Sequence, residues 1–193
     1  FDVAEQYAWG PRGARLLEYC GYVCAPYEPR NVKRVRSRAQ AGKPDAKVVV
    51  AMAGGGADAY PVMDALLAGV SELQARGPCS LVLITGPFMP ANQRRALAIR
   101  AQGLPVQIKT SVPDTASYIE AADVVVGMAG YNTTAEVLRS GKPAVLVPRA
   151  GPSAEQRMRA RLFAEHGWVQ VVEPEDLTAG MIANAVLDSV GRV

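Results

Sequence analysis

The sequence predicts an α/β fold: a doubly wound parallel sheet of about six strands, with helices on both faces. Three observations predict it. Short apolar runs alternate with stretches of helical period from Lys47 onward. The runs are continuously apolar rather than alternating, the pattern of strands covered on both faces. Gly77, Gly103, Gly141 and Gly167 each stand just past a helical stretch, where a left-handed C′ residue is wanted. Strands that alternate with helices are joined by right-handed crossovers, so the sheet is parallel.

The elements follow in order. Strands are expected at Val48–Ala53, Leu81–Thr85, Val106–Lys109, Val124–Gly127, Ala144–Val147 and Val169–Val172. Helices are expected at Pro61–Arg76, Ala91–Gln102, Asp114–Ala121, Thr133–Ser140, Ala154–His166 and Ala179–Val190. Residues 1–46 stand outside the alternation; Gly13–Tyr19 reads as a short helix and Gly21-Tyr22-Val23 as an extended piece. The division expected is an interdomain segment and basic linker over 1–46, then a sheet domain over 47–193.

Composition fits a globular chain of 193 residues, 49% hydrophobic and 20% charged, too apolar for disorder. No apolar run approaches the roughly 18 residues that cross a bilayer as a helix. The chain opens at Phe1, and Asp2, Glu5, Gln6 and Arg12 interrupt any signal-peptide pattern. The expectation is a part of a longer protein.

The net charge of +3 hides an asymmetry, because residues 30–47 carry seven cations against Asp45 alone. This run lacks interleaved aromatics, so a solvated linker is expected and nucleic acid is not; an anionic lipid surface or acceptor is the alternative. The three cysteines are spaced wrongly for a zinc site and read as buried free thiols of a reducing compartment. No metal ligand set is expected.

Chemistry in such a fold belongs beyond the carboxyl ends of the strands. Five loops qualify: Ala53–Asp58, Thr85–Pro90, Thr110–Pro113, Gly127–Asn132 and Pro148–Ser153. The first holds Gly54, Gly55 and Gly56 directly after a strand, a backbone that a phosphate can approach closely. Gly54-x-Gly56-x-x-Ala59 also matches a dinucleotide fingerprint, but the second strand ends at Thr85-Gly86-Pro87 without the ribose-binding acid. No Gly-Lys-Ser/Thr follows, which excludes a P-loop.

The fourth loop says most. Gly130 permits a tight turn, and Asn132, Thr133 and Thr134 place polar groups at a helix start that suits an anion. Glu136 then stands one turn in, within reach of ribose hydroxyls. Thr133-x-x-Glu136 is equally a capping box, in which Glu136 serves only the backbone. Ser153-x-x-Gln156 repeats that choice in the fifth loop, where Glu155 and Gln156 offer acceptors and a donor to a sugar. Arg157, Arg159 and Arg161 read as solvated helix charges, and His166 as a last-turn histidine on the helix dipole. No nucleophile–base pair is present in the pattern.

Gly130-Tyr131-Asn132-Thr133-Thr134-Ala135-Glu136, then Gly141-Lys142-Pro143-Ala144-Val145-Leu146-Val147-Pro148, then Glu155-Gln156, resemble the C-terminal half of family 28 glycosyltransferases. That family has a two-domain, Rossmann-like GT-B architecture and includes the peptidoglycan N-acetylglucosaminyltransferases. The likeness covers about 47–190 and is nearest to a branch of predicted bacterial transferases. It implies a nucleotide-sugar donor, a UDP-sugar, as substrate with no cofactor and no metal, and inverting transfer of a hexosyl group. Glu136 would hold the ribose, Gly130, Asn132 and Thr133 the diphosphate, with Gly55 and Gly56 opposite. Glu155 and Gln156 would meet the sugar, and Ser111, Val112 and Pro113 the base. The general base and acceptor site would lie on an N-terminal domain absent from this chain. The sequence departs from the peptidoglycan enzymes where a Ser-Gln pair becomes Gly56-Ala57. A nucleotide-sugar epimerase and a non-catalytic nucleotide-binding module are the alternatives; the shortage of histidine speaks against the first. The expected location is cytoplasmic, with contact at the inner membrane face.

Overall fold

A computed structural model describes residues 3–6, 8–151 and 154–191. Its six strands are β1 (Lys47–Met52), β2 (Cys79–Ile84), β3 (Val106–Lys109), β4 (Val124–Gly127), β5 (Ala144–Leu146) and β6 (Gln170–Val171). They form one sheet in the order β3-β2-β1-β4-β5-β6, and every pair is parallel. The doubly wound sheet read from the sequence is therefore present, with all six expected strands in place.

Ten α-helices accompany it: α1 (Val3–Gln6), α2 (Pro11–Ala14), α3 (Pro29–Gln40), α4 (Tyr60–Ala68), α5 (Val70–Ala75), α6 (Ala91–Arg100), α7 (Thr115–Ala121), α8 (Tyr131–Ser140), α9 (Glu155–Glu165) and α10 (Ala179–Val190) among the described residues. Alternate side chains of the strands supply two cores. Val49, Ala51, Leu81, Leu83, Val124 and Val126 face α4, α5 and α10 through Met63, Leu66, Leu67, Val70 and Ile182. Val48, Val50, Val82, Val125 and Leu146 face the other way, toward Ala39, Ile119, Val137 and Phe163. Both faces of the inner strands are dry, which is why β1, β2, β4 and β5 carry no polar alternation.

Several elements differ from expectation. The basic run is not a solvated linker: Pro29–Gln40 is helix α3, with Pro29 at its start and Val35 and Ala39 buried. Its inner stripe packs on α7, β1 and β2. Arg36 is drawn inward to Asp123 at 3.1 Å and donates to the Ala121 carbonyl at 2.8 Å. Arg30, Lys33, Arg34 and Arg38 stay exposed on the outer side.

The single helix expected over Pro61–Arg76 breaks at Gly69, where α10 crosses so closely that a Cβ would lie 2.8 Å from the Ala179 carbonyl oxygen. The helix expected at Gly13–Tyr19 is the four-residue α2, which begins at Pro11. Gly21-Tyr22-Val23 joins no strand; the Tyr22 ring lies 5.8 Å from that of Tyr131. Cys20 is exposed and Cys24 half-buried, since that segment has no core to enter; Cys79 alone is buried. Burial, and then the charge of Asp123, push the Cys79 thiol up to about 11.

Candidate functional site

The sheet order reverses between β1 and β4, whose ends Met52 and Gly127 are register partners. Helices leave these strands on opposite faces, so a crevice opens beyond their carboxyl ends. Its two walls are the glycine loop after β1 and the Gly127–Gly130 loop after β4.

On the β4 side, α8 begins at Tyr131 with Gly130 as N-cap and no side-chain cap. Thr134 N–H makes the first helical bond, to Gly130 O at 3.0 Å. The N–H groups of Tyr131, Asn132 and Thr133 therefore have no helical acceptor and carry the positive end of the helix. Tyr131 and Asn132 are exposed. The Thr133 methyl fills the switch point, where a Cβ on Gly127 would lie 3.1 Å from it and 3.3 Å from Met52 O. A side chain at 127 would crowd both groups.

Because α8 starts two residues before Thr133, the capping box over Thr133 and Glu136 does not form. Thr134 ties the helix start instead, donating to Gly130 O at 2.6 Å and Tyr131 O at 3.0 Å. Half-buried Glu136 points to α7, where its Oε1 accepts a hydrogen bond from the Thr115 hydroxyl at 3.2 Å. The carboxylate thus sits beside the loop Ser111-Val112-Pro113, in which Ser111 is exposed and Val112 packs on the core.

The start of α7 is itself fastened. Asp114 is its N-cap, accepting from Ser117 N–H at 2.9 Å, Ser117 Oγ at 2.5 Å and Asn31 Nδ2 at 3.0 Å. Partial burial opposes the charge of Asp114. The hydrogen bonds from Ser117 and Asn31, with the charge of Arg34, outweigh it and hold the carboxyl below its ordinary range.

On the β1 side, Gly54 and Gly55 are exposed and Gly56 is buried. The Gly56 N–H is bonded to Ala53 O at 3.0 Å. Gly56 has φ +90, and a Cβ there would overlap the Thr85 carbonyl oxygen; one on Gly86 would lie 2.5 Å from the Gly55 carbonyl carbon. Two main chains touch here, so Gly56 serves the crevice by keeping its wall low rather than by donating its N–H.

The β5 loop closes the far rim. Arg149 reaches across to Asp58 in the glycine loop, an ion pair of 2.6 Å. Arg149 N–H donates to Gln156 Oε1 at 3.0 Å, which fixes the orientation of that side chain. Ser153 lies outside the described residues, and the N-cap of α9 is Ala154. Glu155 pairs with Arg159 one turn along α9.

Arg159 is the residue that sequence reasoning missed. It is not a solvated charge: Nη1 donates to Ala129 O at 2.7 Å, and the guanidinium lies 5.9 Å from the Tyr131 ring centroid. Arg157 and Arg161 do not stand free either, since both pair with Glu173. His166 behaves as expected, its Nδ1 2.8 Å from the Leu162 carbonyl at the end of α9. A cavity of about 540 Å³ lies elsewhere; Pro143, Trp168 and Gln170 line it where the chain leads into β5 and β6.

Ser111, Gly130, Asn132, Thr133 and Glu136 thus stand along one side of the crevice, Gly55 and Gly56 along the other, and Glu155 and Gln156 at the rim.

The chain is similar to known glycosyltransferases. The UDP-N-acetylglucosamine–N-acetylmuramyl-(pentapeptide) pyrophosphoryl-undecaprenol N-acetylglucosamine transferase of Mycobacterium tuberculosis (strain ATCC 25618 / H37Rv) is 34% identical over 158 residues, 81% of this chain and 37% of that protein. The Bacillus licheniformis transferase of the same name is 28% identical over 157 residues, 81% of this chain and 43% of that protein. This chain therefore spans less than half the length of either relative. The crystal structure of Acinetobacter baumannii MurG shares the fold, with a TM-score of 0.62 and 18% identity over 80% of this chain and 47% of that one. Residues 49–191 match the glycosyltransferase family 28 C-terminal domain, and the chain belongs to that family.

Proposed function

We propose that this chain is the donor-binding part of a glycosyltransferase that moves a hexosyl group from a UDP-sugar to an acceptor. The observation that carries the reading is the placement of Glu136. It stands one turn inside the helix whose free N–H groups open on the switch point, and it is occupied with Thr115 rather than with capping.

The diphosphate lies on the N–H groups of Tyr131, Asn132 and Thr133, and the Glu136 carboxylate accepts hydrogen bonds from the ribose hydroxyls. The base rests against Ser111, Val112 and Pro113. The sugar extends to Glu155 and Gln156, with Gly55 and Gly56 leaving space below. As the acceptor oxygen bonds to the anomeric carbon, the bond from that carbon to the phosphate oxygen breaks. The charge then developing on the leaving nucleoside diphosphate is met by dipoles already aimed at it. This is transfer with inversion, without a metal or other cofactor. The general base that takes the acceptor proton belongs to an N-terminal domain, and residues 1–46 connect the two. The names of the curated relatives support a UDP-sugar, since theirs specify UDP-N-acetylglucosamine. We place the enzyme in the cytoplasm at the inner membrane face; none of the described helices is long and apolar enough to cross a membrane.

Calorimetric titration with UDP, GDP, dTDP and NAD, on the wild type and on Glu136→Ala, tests the proposal. One nucleoside diphosphate should bind, with affinity lost in the variant. Binding of NAD alone, or affinity indifferent to Glu136, would overturn it. With the longer protein, release of nucleoside diphosphate from a nucleotide sugar separates a transferase from a non-catalytic binding module.

A further inference from the structure

A nucleoside diphosphate brings at least two negative charges, whereas a helix start offers the equivalent of roughly half a positive one. The crevice needs a cation. Arg149 is engaged across the rim with Asp58. Arg94 is spent on Thr110 Oγ1 and Met89 O, each at 3.2 Å. Arg159 is placed differently. It holds Ala129 O and lies against Tyr131, the residues on either side of the N-cap Gly130. The Arg159 side chain is only 16% exposed, while Glu155, its counter-ion, is 69% exposed.

We propose that Arg159 is the cation that receives the diphosphate of the donor, and that Glu155 is its counter-ion only while the crevice is empty. The proposal rests on the donor-binding reading above and deepens it.

A guanidinium presents donors along more than one edge. Nη1 keeps Ala129 O and so keeps the fork beside the helix start. Nη2, which now faces Glu155, is the edge that a phosphate oxygen takes. An ion pair between residues four apart on a helix, with one partner as exposed as Glu155, is weak. A charge-assisted bond to a multiply charged phosphate, aided by free helix N–H groups, displaces it. The released Glu155 then stands beside Gln156, whose oxygen is already held by the Arg149 N–H. Seating the diphosphate and presenting Glu155 to the sugar hydroxyls become one event. Donor sugars are read only when their phosphates are in place.

The test is calorimetric titration of the protein with UDP, uridine and inorganic pyrophosphate, with GDP or dTDP and its nucleoside if one of those binds best. Arg159→Gln should lose about tenfold to a hundredfold in diphosphate affinity, with nucleoside affinity within about twofold. Arg159→Lys should recover part of that loss, since a lysine keeps the charge but not the rigid fork that spans Ala129 O and the phosphate. Glu155→Gln should bind the free diphosphate a few-fold more tightly, because a competitor has gone, yet hold the complete nucleotide sugar less well. Equal losses for nucleoside and diphosphate would mean a loosened loop and would overturn the proposal. So would a diphosphate affinity that ignores Arg159→Gln, even while Glu136→Ala abolishes binding. A wild-type protein that binds neither nucleoside nor diphosphate would instead sink the donor-binding reading, and this proposal with it. If Arg159→Gln does not fold, the direction of the Glu155→Gln effect decides, and no tightening overturns the proposal.

Discussion

The Thr115 hydroxyl and the Glu136 carboxylate meet at 3.2 Å, joining the first residue of α7 to the second turn of α8. The two residues come from connections on opposite sides of β4, and they bring the loop after β3 next to the loop after β4. Through this contact, the candidate base and ribose positions share one fixed geometry.

Glu136→Ala should weaken nucleotide binding about tenfold to a hundredfold, since hydrogen bonds to a charged carboxylate contribute about 1.5–3 kcal/mol. Stability should barely change, because the carboxylate caps no helix. Thr115→Val should cost less, up to about tenfold, by removing only what orients Glu136. Titration calorimetry with urea denaturation on the same samples checks both, and a destabilised Glu136→Ala of unaltered affinity would return the residue to a structural role.

Gly56→Ala should destabilise the fold by about 3 kcal/mol, because it places a Cβ against the Thr85 carbonyl at a left-handed φ. Gly54→Ala, at φ +55 with nothing near the new methyl, should cost only about 1 kcal/mol. Urea midpoints of the two variants should therefore separate clearly.

Within the basic helix α3, the cations are unequal. Asp123, 18% exposed, accepts Val48 N–H at 2.7 Å as well as Arg36. Asp123→Ala should lose about 2–3 kcal/mol, through two orphaned donors. Changing Arg30, Lys33 and Arg38 to Ser should each stay within about 0.5 kcal/mol and leave the binding of soluble nucleotide untouched. Thermal melting and titration of the four variants test this.

Asp114 links the fold to pH. Its carboxyl titrates lower in the folded chain than in the unfolded one. The stabilisation it gives is present above the unfolded value of about 3.9 and is lost as pH falls through the folded pKa. The stability gap between wild type and Asp114→Ala should be widest near neutrality and should narrow in acid. A gap that stays constant from pH 7 to below pH 3 would count against this account.

The strands were legible because a sheet covered on both faces needs unbroken apolar runs, and Val48–Met52 and Val124–Val126 supply them. Four helix ends were legible from glycine alone: Gly77, Gly103, Gly141 and Gly167 all have positive φ. Helix α3 was hidden because its inner stripe of Val32, Val35 and Ala39 is thin and lies among five cations; the spacing of three and four was the available signal. The start of α8 was misplaced because Gly130 has no capping side chain, so Thr133 looked like the better beginning. Arg159 and the Asp58–Arg149 bridge could not be read locally. Each joins loops that only the sheet order makes neighbours, and Arg159 differs from Arg157 and Arg161, which pair with Glu173, only by what its side of α9 happens to face.

The placement of α10 carries a consequence for how the chain acquires its structure. Leu66, Leu67 and Val70 are covered by Ile182, Ala183 and Val186 of the last helix, and Gly69 is bare so that this helix can cross. While the protein is being made, that oily face has no cover until the ribosome has released α10. The opposite face is closed by α3, α7, α8 and α9, all of which precede α10 in the chain. One side of the sheet can thus close before α10 is made and the other only after it, and the second is where a nascent chain would meet a chaperone.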